Sequence, residues 1–412
     1  MKNLSELTTL KVKILEQGVF FTPLDTFTKH HTNDNFRCKT IFKKPVSDGK
    51  RVFDMSTDNE LIPSEIVLTN NGNESIVKCR YNPDSPIELK LDLASNSISI
   101  FMDGKKCETF AKFVYDIEAL KLKIDSTHTV GDYVDVVGLD RIALLLFEGC
   151  HNWICGKQCK FCDLHPKRVD EKVIKPTLNN LYLYPDVDTW WNEQKEEFIT
   201  NTAKALKMLM QHHTFKHNHL FIMAGNLDSS EKVWQYLLEF TEGLKKEVDL
   251  TQFDSIVNVC PHDTTENLQK LKDMGIKQVQ YNLEIANKEI FEFSCPGKIA
   301  YEDFVAKMYE AVTIMGSNNV RSNFVLGLQD IDELLKEADT FAKGGIITDY
   351  SVFQPKKHTP YQDKPAPSME QVIYFTDKLA DIYLKYSQSP IFCSLSSRSS
   401  IMNEVYHDKS ML

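Results

Sequence analysis

The chain has 412 residues, enough for two domains of ordinary size. At 42% hydrophobic and 26% charged it reads as a globular protein, not a disordered or collagen-like one, and no segment approaches the length of a membrane span. A formal charge of −10 argues against a general nucleic-acid binder, and Met1-Lys2-Asn3-Leu4-Ser5-Glu6 lacks the apolar run of a signal peptide, so a cytoplasmic chain without a membrane partner is expected.

The first part of the chain, 1–135, alternates short runs of β-branched and aromatic residues with turn signals. Glu65-Ile66-Val67-Leu68-Thr69 meets Asn71-Gly72 and then Ser75-Ile76-Val77-Lys78, and Ser97-Ile98-Ser99-Ile100-Phe101 runs into Asp103-Gly104. Those dipeptides favour tight hairpin turns, so a β-rich N-terminal module is predicted. It carries no chemical motif and reads as a scaffold or a partner surface.

The rhythm changes over 136–412 to strands alternating with helices. Ile142 to Phe147 is a continuous apolar run, the mark of a strand covered on both faces. A helix with Phe198, Thr202, Ala205, Leu206 and Leu209 on one side follows, then a strand over His219 to Met223. Ser229 offers an N-cap for the next helix, and Ser255 to Val259 the next strand. A helix from about Asp263 stops at Gly275, and the unit repeats with a strand Lys277 to Ile285 and a helix Tyr301 to Met315. Val320 to Leu326, a helix around Leu334 to Phe341, Tyr350 to Phe353 and a helix Met369 to Tyr386 repeat it again, before Pro390 to Leu395. Such alternation implies parallel strands joined by right-handed crossovers. The fold class is therefore α/β, a partial (β/α)6 TIM-like barrel behind an N-terminal β-rich domain, with functional residues at the C-terminal ends of the strands.

Ten cysteines are unevenly placed, with four between Cys150 and Cys162. In a chain that is not exported, clustered thiols suggest metal or redox chemistry more than disulfides. Just past the first barrel strand the sequence reads Cys155-Gly156-Lys157-Gln158-Cys159-Lys160-Phe161-Cys162. Three thiolates on one short loop can ligate three irons of a cubane 4Fe–4S cluster, and without a fourth ligand at matching spacing one iron stays open for a cofactor. A structural zinc held by these cysteines with His151 or His165 is the alternative. Cys150, at the strand's end, reads as a structural thiol.

This CxxxCx(aromatic)C loop resembles the signature of the radical S-adenosylmethionine (SAM) superfamily. The resemblance implies a 4Fe–4S cluster on Cys155, Cys159 and Cys162, with SAM on the open iron. It implies reductive cleavage of SAM to methionine and a 5′-deoxyadenosyl radical, fed by an external electron donor of flavodoxin or ferredoxin type. It spans roughly 140–395. Ala224-Gly225-Asn226 stands where the family carries a glycine-rich segment that binds the SAM amino group, but without the acidic residue. Asn282 and Glu284 in Gln280-Tyr281-Asn282-Leu283-Glu284 look like the biotin synthase and lipoyl synthase branch, whose polar groups contact SAM. Phe353 to Pro360 resembles the loop that meets the adenine.

Period-two alternation puts Asn282 and Glu284 on one face of their strand, and Arg321 and Asn323 on one face of theirs, the latter toward SAM's carboxylate or the substrate. Cys295-Pro296-Gly297-Lys298 reads as a turn over the barrel mouth, with Cys295 a hydrogen-atom donor or silent. Lys298 and Arg398 are cations suited to a small anionic metabolite. The absence of a second cysteine cluster or a cobalamin-type domain leaves a single-cluster enzyme whose hydrogen abstraction ends in rearrangement, bond formation or elimination. An RNA-modifying enzyme and a non-catalytic zinc- or cluster-binding interaction protein are the alternatives.

Overall fold

A computed structural model describes residues 4–24, 38–41, 60–92, 97–114, 117–138, 140–147, 150–162, 187–213, 215–261, 265–356, 359–391 and 397–411. His165, Lys357, His358 and Cys393 lie outside the described residues, as do parts of the expected final strand.

The chain opens with a helix that the β-rich reading missed, α1 (Glu6–Gln17), capped by Ser5, whose hydroxyl accepts from the Thr8 amide. Strands β1 (Phe20–Thr22), β2 (Cys38–Ile41), β3 (Glu60–Pro63), β4 (Glu65–Asn70), β5 (Asn73–Lys78), β6 (Ile87–Asp92), β7 (Ser97–Met102) and β8 (Lys105–Phe113) follow. β2 and β3 pair on their own, and the others form one six-stranded sheet. Both expected turns form: Asn71-Gly72 joins β4 to β5 and Asp103-Gly104 joins β7 to β8, all four residues at positive φ. That backbone twist matches the twist of the strands it connects.

The second sheet is the partial barrel. Strand β9 (Asp135–Val137) lies antiparallel on the edge of β10 (Arg141–Phe147). From β10 the strands run parallel in chain order through β11 (His219–Ala224), β12 (Asp254–Asn258), β13 (Gln278–Gln280), β14 (Val320–Leu326) and β15 (Ile346–Val352). Six parallel strands cannot close, as expected. Backbone from the 397–400 segment satisfies part of the open edge, the Val352 amide donating to the Ser399 carbonyl at 2.8 Å.

A short helix, α2 (His151–Ile154), follows β10, and then α3 (Val187–Gln211) and α4 (Ser230–Glu247). Around the rest of the barrel come α5 (Thr265–Asp273), α6 (Lys288–Ser294), α7 (Tyr301–Met315), α8 (Ile331–Lys343) and α9 (Met369–Lys385). Ser229 caps α4 through the Lys232 amide, as its sequence position suggested. Gly316 ends α7 at φ 96. A terminal helix, α10 (Met402–Ser410), was not foreseen. Among the described residues no helix is long and apolar enough to cross a membrane.

The two sheets are tied together by the end of the chain. Lys11 on α1, 1% exposed, donates to Glu404 on α10 at 2.6 Å and to the Ser397 carbonyl at 2.7 Å. Ser75 on β5 donates to the same Glu404 carboxylate, and Arg398 pairs with Glu65, whose side chain is fully buried.

Candidate functional site

The site is built where the strand ends converge. The cysteine loop leaves β10 through α2, and Cys155, Cys159 and Cys162 are not joined in disulfides, the first exposed and the other two half-buried. The loop is laced to the turn at 294–298. The Lys160 amide donates to the Ser294 carbonyl at 2.9 Å and the Asn152 side chain to the Gly297 carbonyl at 3.3 Å. Gly297 is needed for this approach, because a Cβ there would lie 2.4 Å from Asn152 Cγ and 2.6 Å from the Lys157 carbonyl oxygen. Tyr361 closes the third side: its amide donates to the Lys160 carbonyl at 3.0 Å, and its hydroxyl meets Ser294 Oγ at 2.6 Å.

The turn expected at Cys295-Pro296-Gly297-Lys298 forms, and it packs against the cysteine loop. Cys295 ends α6, is 1% exposed, and its side chain is hydrogen-bonded to Cys159. That contact, and then burial, push the Cys159 thiol well above its ordinary pKa. Cys150 is also near, and burial pushes its thiol up to about 11, which keeps it protonated.

Asn282 and Glu284 do come together here, though not by strand alternation. β13 stops at Gln280, short of the predicted Ile285, and Glu284 takes φ 71, a left-handed conformation rare for a residue with a side chain. It nevertheless bridges to β14, its amide donating to the Asn323 carbonyl at 2.9 Å and its carbonyl accepting from Val325 at 2.8 Å. Such a strained residue is held by its surroundings, and these positions cluster at functional sites.

Lys298, 8% exposed, reaches Glu284 Oε1 at 3.5 Å and donates to the Asn282 carbonyl. Burial opposes its charge, but Glu284 and the thiols of Cys295, Cys159 and Cys260 outweigh it and raise its pKa above the ordinary range. Burial raises the Glu284 carboxyl, with Lys298 and a hydrogen bond from Asn323 pulling the other way. The Asn282 side chain donates to Asn258 at 3.3 Å, while its own Oδ1 is buried without a protein partner. A buried acceptor in that state calls for a partner from outside the chain, a water or a ligand.

Ala224, Gly225 and Asn226 border the same place. The Asn226 carbonyl accepts from the His151 amide at 2.7 Å, and its side chain hydrogen-bonds Cys260. Cys260 is one of the six cysteines outside the 150–162 cluster, and no motif marks it in the sequence. Its place two residues past the end of β12 was the available signal, since barrel sites gather at strand ends.

The remaining cations are engaged elsewhere. Arg321, 1% exposed, makes a bidentate pair with Asp349 at 2.8 Å on both bonds and donates to the Ser389 carbonyl. Arg398 meets Glu65 in the N-terminal sheet, so it does not stand with Lys298 in one anion site. Asn323 looks both ways. It contacts Glu284 above and lines a cavity of about 110 Å³ in the barrel lumen with Arg141, Gln280, Asp349 and Ser351. Gln280, 5% exposed, leaves its Oε1 without a protein partner there.

The donor set suits an iron–sulfur cluster. Three thiols lie on one loop, yet among the described residues no three His, Cys, Asp or Glu side chains gather to hold a single ion. A cubane asks one thiolate of each iron, so it does not need them on one point.

No protein-family model matches the chain. It is 23% identical over 266 residues to bacteriochlorophyllide c C-7(1)-hydroxylase of Chlorobaculum limnaeum, a match covering 61% of this chain and 62% of that protein. The match therefore spans less than two thirds of that curated relative. Among solved structures, coproporphyrinogen III oxidase from Escherichia coli, described as a radical SAM enzyme, is 14% identical, with a TM-score of 0.39 over 62% of this chain and 54% of that one. Methylornithine synthase is 13% identical, with a TM-score of 0.40 over 67% of this chain and 82% of that one.

Proposed function

We propose that this chain is a radical SAM enzyme that holds a 4Fe–4S cluster on Cys155, Cys159 and Cys162 and abstracts hydrogen from a small, polar, anionic metabolite. The observation that carries the reading is the lacing of the cysteine loop to the 294–298 turn beside Asn282, Glu284 and Lys298, at the mouth of a parallel half-barrel. When bound, the cluster supplies one electron to SAM, whose cleavage gives methionine and a 5′-deoxyadenosyl radical.

The chain's own residues bind, orient and exclude water. Asn282 offers its orphaned Oδ1 to a donor on SAM, and Glu284, held in place through Asn323 and Lys298, offers a carboxylate to its amino or ribose groups. Ala224, Gly225 and Asn226 line the neighbouring strand end. The lumen beneath Asn323 takes the polar part of the substrate, with Gln280 accepting a hydrogen bond and Arg141, which lies over the Phe221 ring at 4.9 Å, on the cavity lining as a cation for an anionic group. A small acidic electron carrier of flavodoxin or ferredoxin type delivers the electron. The N-terminal sheet serves as a scaffold for the closing segment of the barrel.

The test is anaerobic reconstitution with iron and sulfide, followed by reduction and addition of SAM. About four irons and four sulfides per chain with 5′-deoxyadenosine release are expected. Stoichiometric zinc with no iron uptake would overturn the reading.

A further inference from the structure

We infer that the lumen cavity beneath Asn323 is a pocket for the head group of an α-amino acid, in which Gln280 and Ser399 accept from its ammonium and Arg141 takes its carboxylate. The inference rests on the reading of that lumen as the place of the substrate's polar part, and it narrows a small polar anion to one class of compound.

The pocket is built, and part of it comes from the end of the chain. The strip 397–403 runs beside β15 and lines the lumen together with side chains from β10, β11 and β13 to β15. The Val352 amide donates to the Ser399 carbonyl at 2.8 Å. Lys11 holds the strip at both ends, donating to the Ser397 carbonyl at 2.7 Å and to Glu404 at 2.6 Å.

The lining is rich in acceptors. Ser399 Oγ donates to Ser351 Oγ at 3.2 Å, and Ser351 Oγ donates to Asn323 Oδ1 at 3.3 Å. A hydroxyl has one proton and two lone pairs, so Ser399 has only acceptor capacity left for a ligand. Gln280, 5% exposed, adds an Oε1 that is buried without a protein partner and calls for a donor from outside the chain. Asp349 puts a carboxylate on the same lining, its charge balanced by the bidentate pair with Arg321 at 2.8 Å on both bonds.

Acceptors on several sides of one small space suit a group with several donors on one atom. An ammonium has three, whereas a hydroxyl has one. Arg141 brings to the same lining a planar guanidinium, whose geometry matches a carboxylate. A cation and an anion held together in a cavity of about 110 Å³ describe a zwitterionic head group. That volume equals the liquid share of roughly four waters, which leaves little room for a side chain. The side chain is therefore directed past Asn323, whose carbonyl accepts from the Glu284 amide at 2.9 Å, toward the mouth of the barrel.

The experiment measures dissociation constants by ligand-observed NMR on the reconstituted, unreduced protein, with SAM saturating so that no probe occupies the place of SAM's own amino-acid part. The probes are L-alanine, propionate without the ammonium, L-lactate with one hydroxyl in its place, and ethylamine without the carboxylate. L-Alanine should bind, and each analogue should bind about tenfold or more weakly, as the loss of charged hydrogen bonds requires. Gln280→Leu should remove most of the preference for L-alanine over propionate, and Gln280→Glu should keep it. L-Lactate binding as tightly as L-alanine would overturn the ammonium assignment in favour of a hydroxy acid. Equal binding of propionate or ethylamine, or binding of no probe at all with only water in the lumen, would overturn the pocket. An undiminished preference in folded Gln280→Leu would do the same, and the analogue series on wild type decides if that variant does not fold. Iron and sulfide are assayed on each sample and binding is read whatever the metal content, so zinc in place of iron would overturn the cluster assignment separately.

Discussion

Replacing Glu284 by Gln tests whether the strained residue at the end of β13 belongs to the site or only to the fold. Its carboxylate and the Lys298 ammonium lie 3.5 Å apart, at 16% and 8% exposure. Two unit charges at that separation attract by roughly 5 kcal/mol at an effective dielectric of about 20, and taking both from water cancels much of it. Removing one partner is the more damaging change. Gln keeps the shape but leaves the ammonium with the Asn282 carbonyl and a neutral amide oxygen. Breaking a buried pair from one side costs about 3–5 kcal/mol, and these surviving acceptors bring the expected loss to about 2–3 kcal/mol. Urea unfolding of the cluster-free chain measures it. Lys298→Met on the Glu284→Gln background removes the stranded charge and should restore about half of the loss. In the cluster-loaded protein the same Glu284→Gln change should weaken SAM binding by about 1–3 kcal/mol, read by calorimetry. Simple addition of the two single-variant costs would refute the coupling. Unchanged SAM affinity in a loaded variant would confine Glu284 to holding the fold.

The other predictions concern the same wall and its supports. Cys155→Ala, Cys159→Ala and Cys162→Ala should each abolish the brown chromophore and SAM cleavage, while Cys150→Ala should keep both, as read by absorbance and 5′-deoxyadenosine assay. Gly297→Ala should lower iron uptake on reconstitution, since its Cβ would lie 2.4 Å from Asn152 Cγ and force the cysteine loop away. Arg321→Met should destabilise the chain by about 3–5 kcal/mol in urea by stranding Asp349, and Arg321→Met with Asp349→Leu should recover most of it. Arg398→Ala should destabilise the chain in urea by removing its pair with the fully buried Glu65 carboxylate, with 5′-deoxyadenosine formed per folded molecule unchanged.

The parts of this structure written in local pattern were legible. The Asn71-Gly72 and Asp103-Gly104 turns, the Ser229 cap and the apolar run of β10 are decided by a few neighbouring residues, and all form where the sequence places them. The parallel half-barrel follows from the alternation of such segments. What did not show was whatever depends on pairing across long separations. α1 carries a weak local signal, and Lys11 on its buried face reads as solvated until Glu404 is brought to it. Arg321 and Arg398 look like cations awaiting an anion, because nothing in their own segments announces Asp349 or Glu65.

The same limit explains the wall of the site. Cys295 and Lys298 were visible as reactive types in a turn, but their meaning comes from Cys159 and Glu284, which only the fold supplies. Glu284 shows why periodicity misled: alternation assumes an extended backbone, and φ 71 re-aims the side chain toward the lysine. A regular strand through Ile285 would have turned that carboxylate according to the pleat. The break after Gln280 lets Asn282, Glu284 and Lys298 meet beside the cysteine loop, and the amide and carbonyl that Glu284 shares with β14 keep the sheet connected across the break. The departure from strand geometry is therefore what assembles the site, and the hydrogen bonds to Asn323 and Val325 are what make the departure affordable to the fold.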